Sequence, residues 1–372
     1  MTPRRGPLVG VKVVELAGIG PGPLAGMLLA DWGADVIVVD RPRPTQIRRL
    51  IPPEFVVTNR GKRLTMADLK SEPGRRATWS LLERADVLLE GFRPGTLERL
   101  GFGPQAVHER NPRLVYTRIT GWGQQGPRSA TAGHDIDYIA LTGALATIGR
   151  VGEPPVPPVN LLGDYAGGTM FAVAGTLAAL LEVGRSGRGQ VVDAAMVDGV
   201  GALLAPMFGM LNAGLWSTDR GRNLLDTGAP FYDVYRTKDD RFVAVGALED
   251  EFFAALIAGL DIDPREVRDR WNAATWPDLR DRLATAFRGK TQEEWTTAFA
   301  DSDACVAPVL SLAEAPSDPH NVVRGAFARV EGRIQPAPAP RFDRTPSHAP
   351  TSPPLVAEPI EGLIEEWTRG SA

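Results

Sequence analysis

The stretch Val11-Lys12-Val13-Val14-Glu15-Leu16 is followed by Gly18-Ile19-Gly20-Pro21-Gly22-Pro23, a helix-forming run over 24–32, Gly33, and Asp35-Val36-Ile37-Val38-Val39. Its first and last segments are short runs of β-branched apolar residues bounded by glycine, which read as strands; the middle reads as a helix. Strand, helix and strand in so few residues make a βαβ unit with parallel strands. If such units repeat, an open, doubly wound, mostly parallel sheet follows.

They do repeat. Ala85-Asp86-Val87-Leu88-Leu89-Glu90 and Leu114-Val115-Tyr116-Thr117-Arg118-Ile119 read as further strands, separated by helical patterns near 79–84 and 96–100. A long helix over 166–181, a loop over 184–189, a strand over 190–193 and a helix through Met196 continue the alternation. From Phe231 the character changes: 231–236 and 242–245 flank the charged turn Lys238-Asp239-Asp240 as a hairpin, and helices fill 250–300. A chain of 372 residues exceeds what one core supports, so a second, smaller α+β domain is expected there. The region from Gln335 to Leu355 carries Pro336, Pro338, Pro340, Pro346, Pro350, Pro353 and Pro354, which predicts an extended tail along a surface before a last helix over 360–367.

Gly18, Gly20 and Asp40 imitate a dinucleotide-binding fingerprint. The third glycine position falls on Pro23 or Leu24, and Arg41 follows Asp40 directly, so the glycines read as turn chemistry.

The net charge of -4 argues against nucleic acid as a general partner, so an anionic ligand must meet a local basic patch. Lys12 and Glu15 interrupt any leader-like apolar run, and the longest apolar run, over 170–181, is short for a bilayer. A cytoplasmic enzyme without membrane insertion is the expectation. Cys305 is the only cysteine, so it cannot form an internal disulfide or a cysteine-based metal cluster, and it reads as a packing residue. No metal site is expected.

Two segments carry chemistry: Gly133-His134-Asp135-Ile136-Asp137-Tyr138 and Gly163-Asp164-Tyr165-Ala166-Gly167-Gly168. Each sets an ionisable side chain beside glycine, where backbone can approach a ligand. An imidazole and a carboxylate are the parts of a two-base proton-transfer device. Asp164 is expected just before a helix, whose first amides would favour its anion and make it a ready proton acceptor. Glu249, in Gly246-Ala247-Leu248-Glu249-Asp250, falls on the turn after the hairpin.

These segments, with Val13-Val14-Glu15-Leu16-Ala17, Ala67-Asp68-Leu69-Lys70, Gly91-Phe92-Arg93-Pro94-Gly95 and Gly121-Trp122-Gly123-Gln124, resemble the class III CoA-transferase superfamily, within it most the α-methylacyl-CoA racemases. The resemblance implies a Rossmann-like large domain split between residues 1–200 and 330–372. It also implies a linker helix region over 201–228, a small domain over 229–318 and a return linker over 319–329. It implies an interlocked homodimer with active sites shared between chains, and epimerisation of a 2-methylacyl-CoA with no cofactor, CoA being part of the substrate. His134 and Asp164 would be the two bases, Glu249 the hydrogen-bond acceptor that orients the histidine, and the backbone N–H of Asp135 an oxyanion donor whose side chain is replaceable. Arg41, Ala67, Leu69, Lys70, Gly91, Arg93, Arg99, Gly133 and Tyr138 would hold CoA. Met196, rather than Met207 or Met210, would touch the acyl group. The loop between Pro42 and Asn59 is longer than the family pattern, which leaves Arg48, Arg49, Arg60, Lys62 and Arg63 open as further phosphate contacts.

The same superfamily transfers CoA between acids. There the matching aspartate, here Asp164, would be a nucleophile. The glycine run ending in glutamine that marks those transferases is missing, and they do not need the histidine. A non-catalytic acyl-CoA binding protein would not need His134, Asp164 and Glu249 together.

Overall fold

The computed structural model of the protein describes residues 4–43, 50–267 and 269–369. Its opening βαβ unit is β1 (Lys12–Leu16), α1 (Pro21–Asp31) and β2 (Asp35–Asp40), with Lys12 opposite Asp35 in parallel register. The chain continues through β3 (Arg63–Met66), α2 (Glu72–Leu82), β4 (Val87–Glu90), α3 (Thr96–Leu100), α4 (Pro104–Arg110), β5 (Val115–Thr120) and α5 (Asp135–Leu141). A wide, π-type helix over Leu161–Met170 then runs directly into α6 (Phe171–Ser186), followed by β6 (Val191–Ala195) and α7 (Met196–Leu203).

Six parallel strands make one sheet in the order β3-β2-β1-β4-β5-β6. Successive strand residues face opposite ways, so the apolar runs feed two cores. Val13, Val36, Val87 and Leu89 pack with Ala25 and Leu29 of α1 and Ala172 and Val173 of α6. Val14, Ile37, Val39 and Leu88 pack on the other face with Leu81 and Leu82 of α2, Leu97 of α3 and Leu363. Each fully buried side chain contributes about 1.5–3 kcal/mol, so the sheet is a rigid platform.

The first unit takes in Met1–Thr142, Val159–Leu203 and Pro319–Ala372; the second takes in Gly143–Pro158 and Leu204–Asp318. In the second, α8 (Ala205–Asn212) precedes the antiparallel hairpin of β7 (Tyr232–Arg236) and β8 (Phe242–Gly246). Next come α9 (Asp250–Gly259), α10 (Trp276–Phe287), α11 (Gln292–Ala298) and β9 (Val306–Pro308), which pairs with β8. Phe231, Leu256, Leu283, Phe287 and Trp295 form its core. The segment 143–158, which the sequence reading left in the large domain, is tied here by Arg150 Nη2 to the buried Asp233 Oδ1 at 2.7 Å. Cys305 is exposed and has a φ of 52°, so it is not the packing residue expected.

The chain returns to the first unit as α12 (Pro319–Arg324), a hairpin of β10 (Phe327–Val330) with β11 (Arg333–Pro336), and α13 (Ile360–Arg369). β11 is a departure from the expected irregular tail. Pro336 ends that strand in a two-stranded ribbon, where a missing N–H is tolerated. Beyond it the tail is fastened to the sheet: Glu358 N–H donates to Leu64 O at 2.7 Å, and Trp367 Nε1 to Asp35 Oδ2 at 2.7 Å.

The helix is also longer than expected. Because the wide turn continues into α6, Leu161–Ser186 forms one helical stretch of 26 residues, long and apolar enough by length and composition to cross a membrane. In this fold Ala172, Val173, Ala179 and Val183 of α6 join the sheet core.

Candidate active site

β1 and β4 are neighbours, but the chain leaves them toward opposite edges, and such a reversal opens a crevice at the carboxyl ends of the strands. A cavity of about 470 Å³ lies there, and its walls include Leu16, Gly20, Arg41, Gly91, His134 and Asp164.

Asp164 sits inside the first turn of the wide helix, not before a helix. Its N–H donates to Asp135 Oδ2 at 2.7 Å, and its own Oδ2 accepts from Asn160 Nδ2 at 3.0 Å. Burial raises the proton affinity of the carboxyl above the ordinary aspartate range, Asp135 adds to the rise, and Asn160 and His134 oppose it. This corrects the expectation of an anion stabilised by helix amides. Partial desolvation outweighs them and suits a group that must hold a proton as well as take one.

Asp135 does more than the expected backbone role. Its side chain is buried, and the bond from Asp164 N–H makes it a strut under Asp164. The glycines around Asp164 also serve differently. A Cβ on Gly163 would lie 2.6 Å from Asp135 Oδ2, and one on Gly167 2.6 Å from Val200 Cγ2. They let protein approach protein, whereas the sequence reading had them admit a ligand.

His134 is the N-cap of α5, and Asp137 Oδ2 accepts its backbone N–H at 2.9 Å. The first N–H groups of a helix have no acceptor within it, which leaves the Asp135 amide a donor beside the imidazole. Tyr138 underlies this turn: its hydroxyl donates to Gly133 O, and its ring meets Trp122 edge-on at 4.8 Å between centroids. Trp122 Nε1 is buried and has no hydrogen-bond partner among the described residues.

Of the residues nominated from sequence, Arg41, Gly91, Arg93, Gly133, His134, Tyr138, Asp164 and Met196 line the one cavity. Ala67, Leu69, Lys70 and Arg99 do not, although Ala67 N–H donates to Asp40 O at 2.8 Å, beside Arg41. Glu249 is the N-cap of α9 in the second unit. Arg60, Lys62 and Arg63 serve the fold: Arg60 pairs with Asp31 at 2.7 Å, Lys62 with Glu15 at 2.6 Å, and Arg63 with Glu358 at 2.6 Å. Arg48 and Arg49 lie outside the described residues.

Three participants escaped the sequence reading. Gly20 has φ 69° and ψ -122°, and a Cβ there would stand 2.9 Å from Asp164 Oδ2. Its proper signal was not the glycine spacing but the prolines beside it: Pro21 and Pro23 remove N–H groups from the start of α1, where a phosphate would otherwise bind. Asn160 could have been found from its four-residue spacing to Asp164 on one helical turn. The Asp135 side chain left no local signal, since its partner is 29 residues away.

Asn160 yields a pH prediction. Its amide donates to the ionised carboxylate and so opposes the rise in proton affinity. In Asn160→Ala the carboxyl keeps its proton to higher pH, and an acidic limb of kcat/KM that reports Asp164 is expected to move up. An unchanged limb would separate Asn160 from the titration of Asp164.

The profile of CoA-transferase family III matches residues 8–359. The chain is similar to the alpha-methylacyl-CoA racemase of Mus musculus, 44% identical over 361 residues that cover 96% of this chain and 93% of the mouse protein. To the Homo sapiens alpha-methylacyl-CoA racemase it is 43% identical over 363 residues, covering 97% and 93%. Among solved structures, a CAIB/BAIF family protein from Brucella suis superposes with a TM-score of 0.85 at 27% identity, covering 98% of this chain and 100% of that one. With this match over nearly its whole length, the chain belongs to CoA-transferase family III.

Proposed function

We propose that the protein is a racemase of 2-methylacyl-CoA thioesters, acting by 1,1-proton transfer. The observation that carries this reading is the convergence of His134 and Asp164 on one cavity at the switch point of the sheet. One group takes the α-proton, and the electrons of that C–H bond pass into a planar enolate on the thioester oxygen. The conjugate acid of the other returns a proton to the opposite face, so the two groups exchange roles in the reverse direction. The Asp135 N–H is the donor for the enolate oxygen, a role whose loss typically costs on the order of 10²-fold or more in rate. Met196, buried at the start of α7 and lining the cavity, is our choice for the acyl contact. Arg41, Arg93 and the ends of β3 and β4 hold the nucleotide, with Ala67, Leu69, Lys70 and Arg99 as outer contacts.

The test is carried out in heavy water with one epimer of a 2-methylacyl-CoA and no free acid. Deuterium should enter the α-carbon while the epimers approach equilibrium, in the presence of a metal chelator and without nicotinamide. Transfer of CoA that waits for an acceptor acid and proceeds without α-exchange would instead make Asp164 a nucleophile, and the protein a transferase. Binding without either reaction would leave only an acyl-CoA carrier.

An interlocked homodimer belongs to the same proposal, with the partner's Glu249 as the acceptor that orients His134. Exposed apolar side chains on each unit support it: Leu181 on α6 of the first is 66% exposed, and on the second Phe208 on α8 is 51% and Leu215 76% exposed. Sedimentation is expected at twice the chain's mass, and a monomer that racemises at full rate would remove the partner from the site. A cytoplasmic location completes the proposal.

A further inference from the structure

Beyond the reacting groups, β4 and β5 carry a charge network that is buried at its centre. Glu90 and Arg118 are register partners on these strands, and both are buried. Arg118 Nε donates to Glu90 Oε1 at 2.8 Å, and Arg118 Nη1 reaches Glu98 Oε1 on α3 at 2.9 Å. The other Glu90 oxygen accepts the N–H of Phe92 at 2.8 Å. Between the two carboxylates runs a short segment in which Thr96 N–H closes a turn onto Arg93 O at 3.1 Å, and Gly95 takes a φ of 79°. Residues 91–94 of that segment line the cavity; Glu90, Glu98 and Arg118 do not.

A buried ion pair often stabilises a fold no more than an apolar pair of equal volume would. Here burial pushes the Glu90 carboxyl up, against the pull of Phe92 N–H and Arg118. What the charges supply is direction: one rigid guanidinium fork fixes a carboxylate before the segment and another after it. We infer that Arg118 is a positioning residue for the nucleotide end of the substrate, gripping Glu90 and Glu98 so that the loop between them presents Gly91 and Arg93 to the cavity. This rests on the reading of the cavity as an acyl-CoA site.

Calorimetric titration of CoA into the full chain tests it. Arg118→Met fills the volume without the fork, and it is expected to bind CoA about tenfold or more weakly, with kcat at saturation within about threefold of wild type, because a preorganised loop serves ground and transition states alike. Arg118→Lys, a point charge that cannot grip both carboxylates at once, should recover part of the loss. Glu98→Gln, at the half-exposed arm, keeps the Arg118 pair with Glu90 and should weaken binding by a smaller factor. A folded Arg118→Met with the wild-type Kd, or a loss confined to kcat, overturns the inference. If Arg118→Met does not fold, a wild-type Kd in Glu98→Gln overturns it equally. Wild-type protein that takes up no CoA would sink the thioester reading itself and this inference with it, an outcome distinct from variants that match a CoA-binding wild type.

Discussion

His134→Ala and Asp164→Ala are each expected to lower turnover of a 2-methylacyl-CoA by about 10²-fold or more, the range for a positioned acid or base. Binding of CoA should change little, because in the proposed site the thioester would be held by its nucleotide end, away from the reacting carbon. A variant that kept near-wild-type epimerisation would strip that residue of its role. For Asp164 a control follows from its surroundings. Burial raises its proton affinity in the folded chain, so between the unfolded and folded pKa the folded state holds more protons, and stability falls as pH rises through that window. Asp164→Asn removes this penalty and retains an oxygen for the Asn160 amide. It should therefore melt no lower than wild type above that window while being as inactive as the alanine variant. Loss of activity with a lowered Tm would point to unfolding instead.

The parallel sheet was legible because its strands are buried on both faces: Val13-Val14 and Val36-Ile37 announce themselves wherever they are met. β3 was not. Its Arg63-Leu64-Thr65-Met66 reads as surface until Glu358 and Glu366, 295 and 303 residues on, neutralise Arg63 at 2.6 and 2.7 Å. The wide helix was hidden for a similar reason. Nothing in Leu161-Leu162-Gly163-Asp164 distinguishes a π turn from a loop; in the fold the stretch packs so tightly that a Cβ on Gly167 would stand 2.6 Å from Val200 Cγ2 on α7. His134 and Asp164 were found by their motifs, and the cavity unites them. What their motifs could not convey was the state of Asp164, which depends on desolvation and on a second carboxylate from α5. Local sequence carries propensity and residue type; it carries proton affinity poorly, since that is set by whatever the fold brings near.

Gly20→Ala carries the second large effect. The conformation of Gly20, φ 69° and ψ -122°, is one that a residue with a Cβ adopts only at a cost, typically about 1–3 kcal/mol. The added methyl would also stand 2.9 Å from Asp164 Oδ2, closer than side-chain carbons pack. The carboxylate has little room to yield. Asn160 holds the same oxygen at 3.0 Å, Asp135 holds its backbone, and Thr169 Oγ1 ties the wide helix to Pro21 O at 2.8 Å. Relief therefore comes from moving the loop before α1 or turning the Asp164 side chain, and a misplacement of about 1 Å at a reacting group costs up to about 10²-fold. Turnover in Gly20→Ala is thus expected to fall by about 10- to 10²-fold with CoA affinity nearly kept, a pattern shared with Asp164→Asn rather than with Arg118→Met. Combining Gly20→Ala with Asp164→Asn gives the decisive comparison. If the methyl acts through the carboxylate, the double variant should be scarcely slower than Asp164→Asn alone. Full additivity of the two losses would mean that Gly20 shapes the cavity by another route.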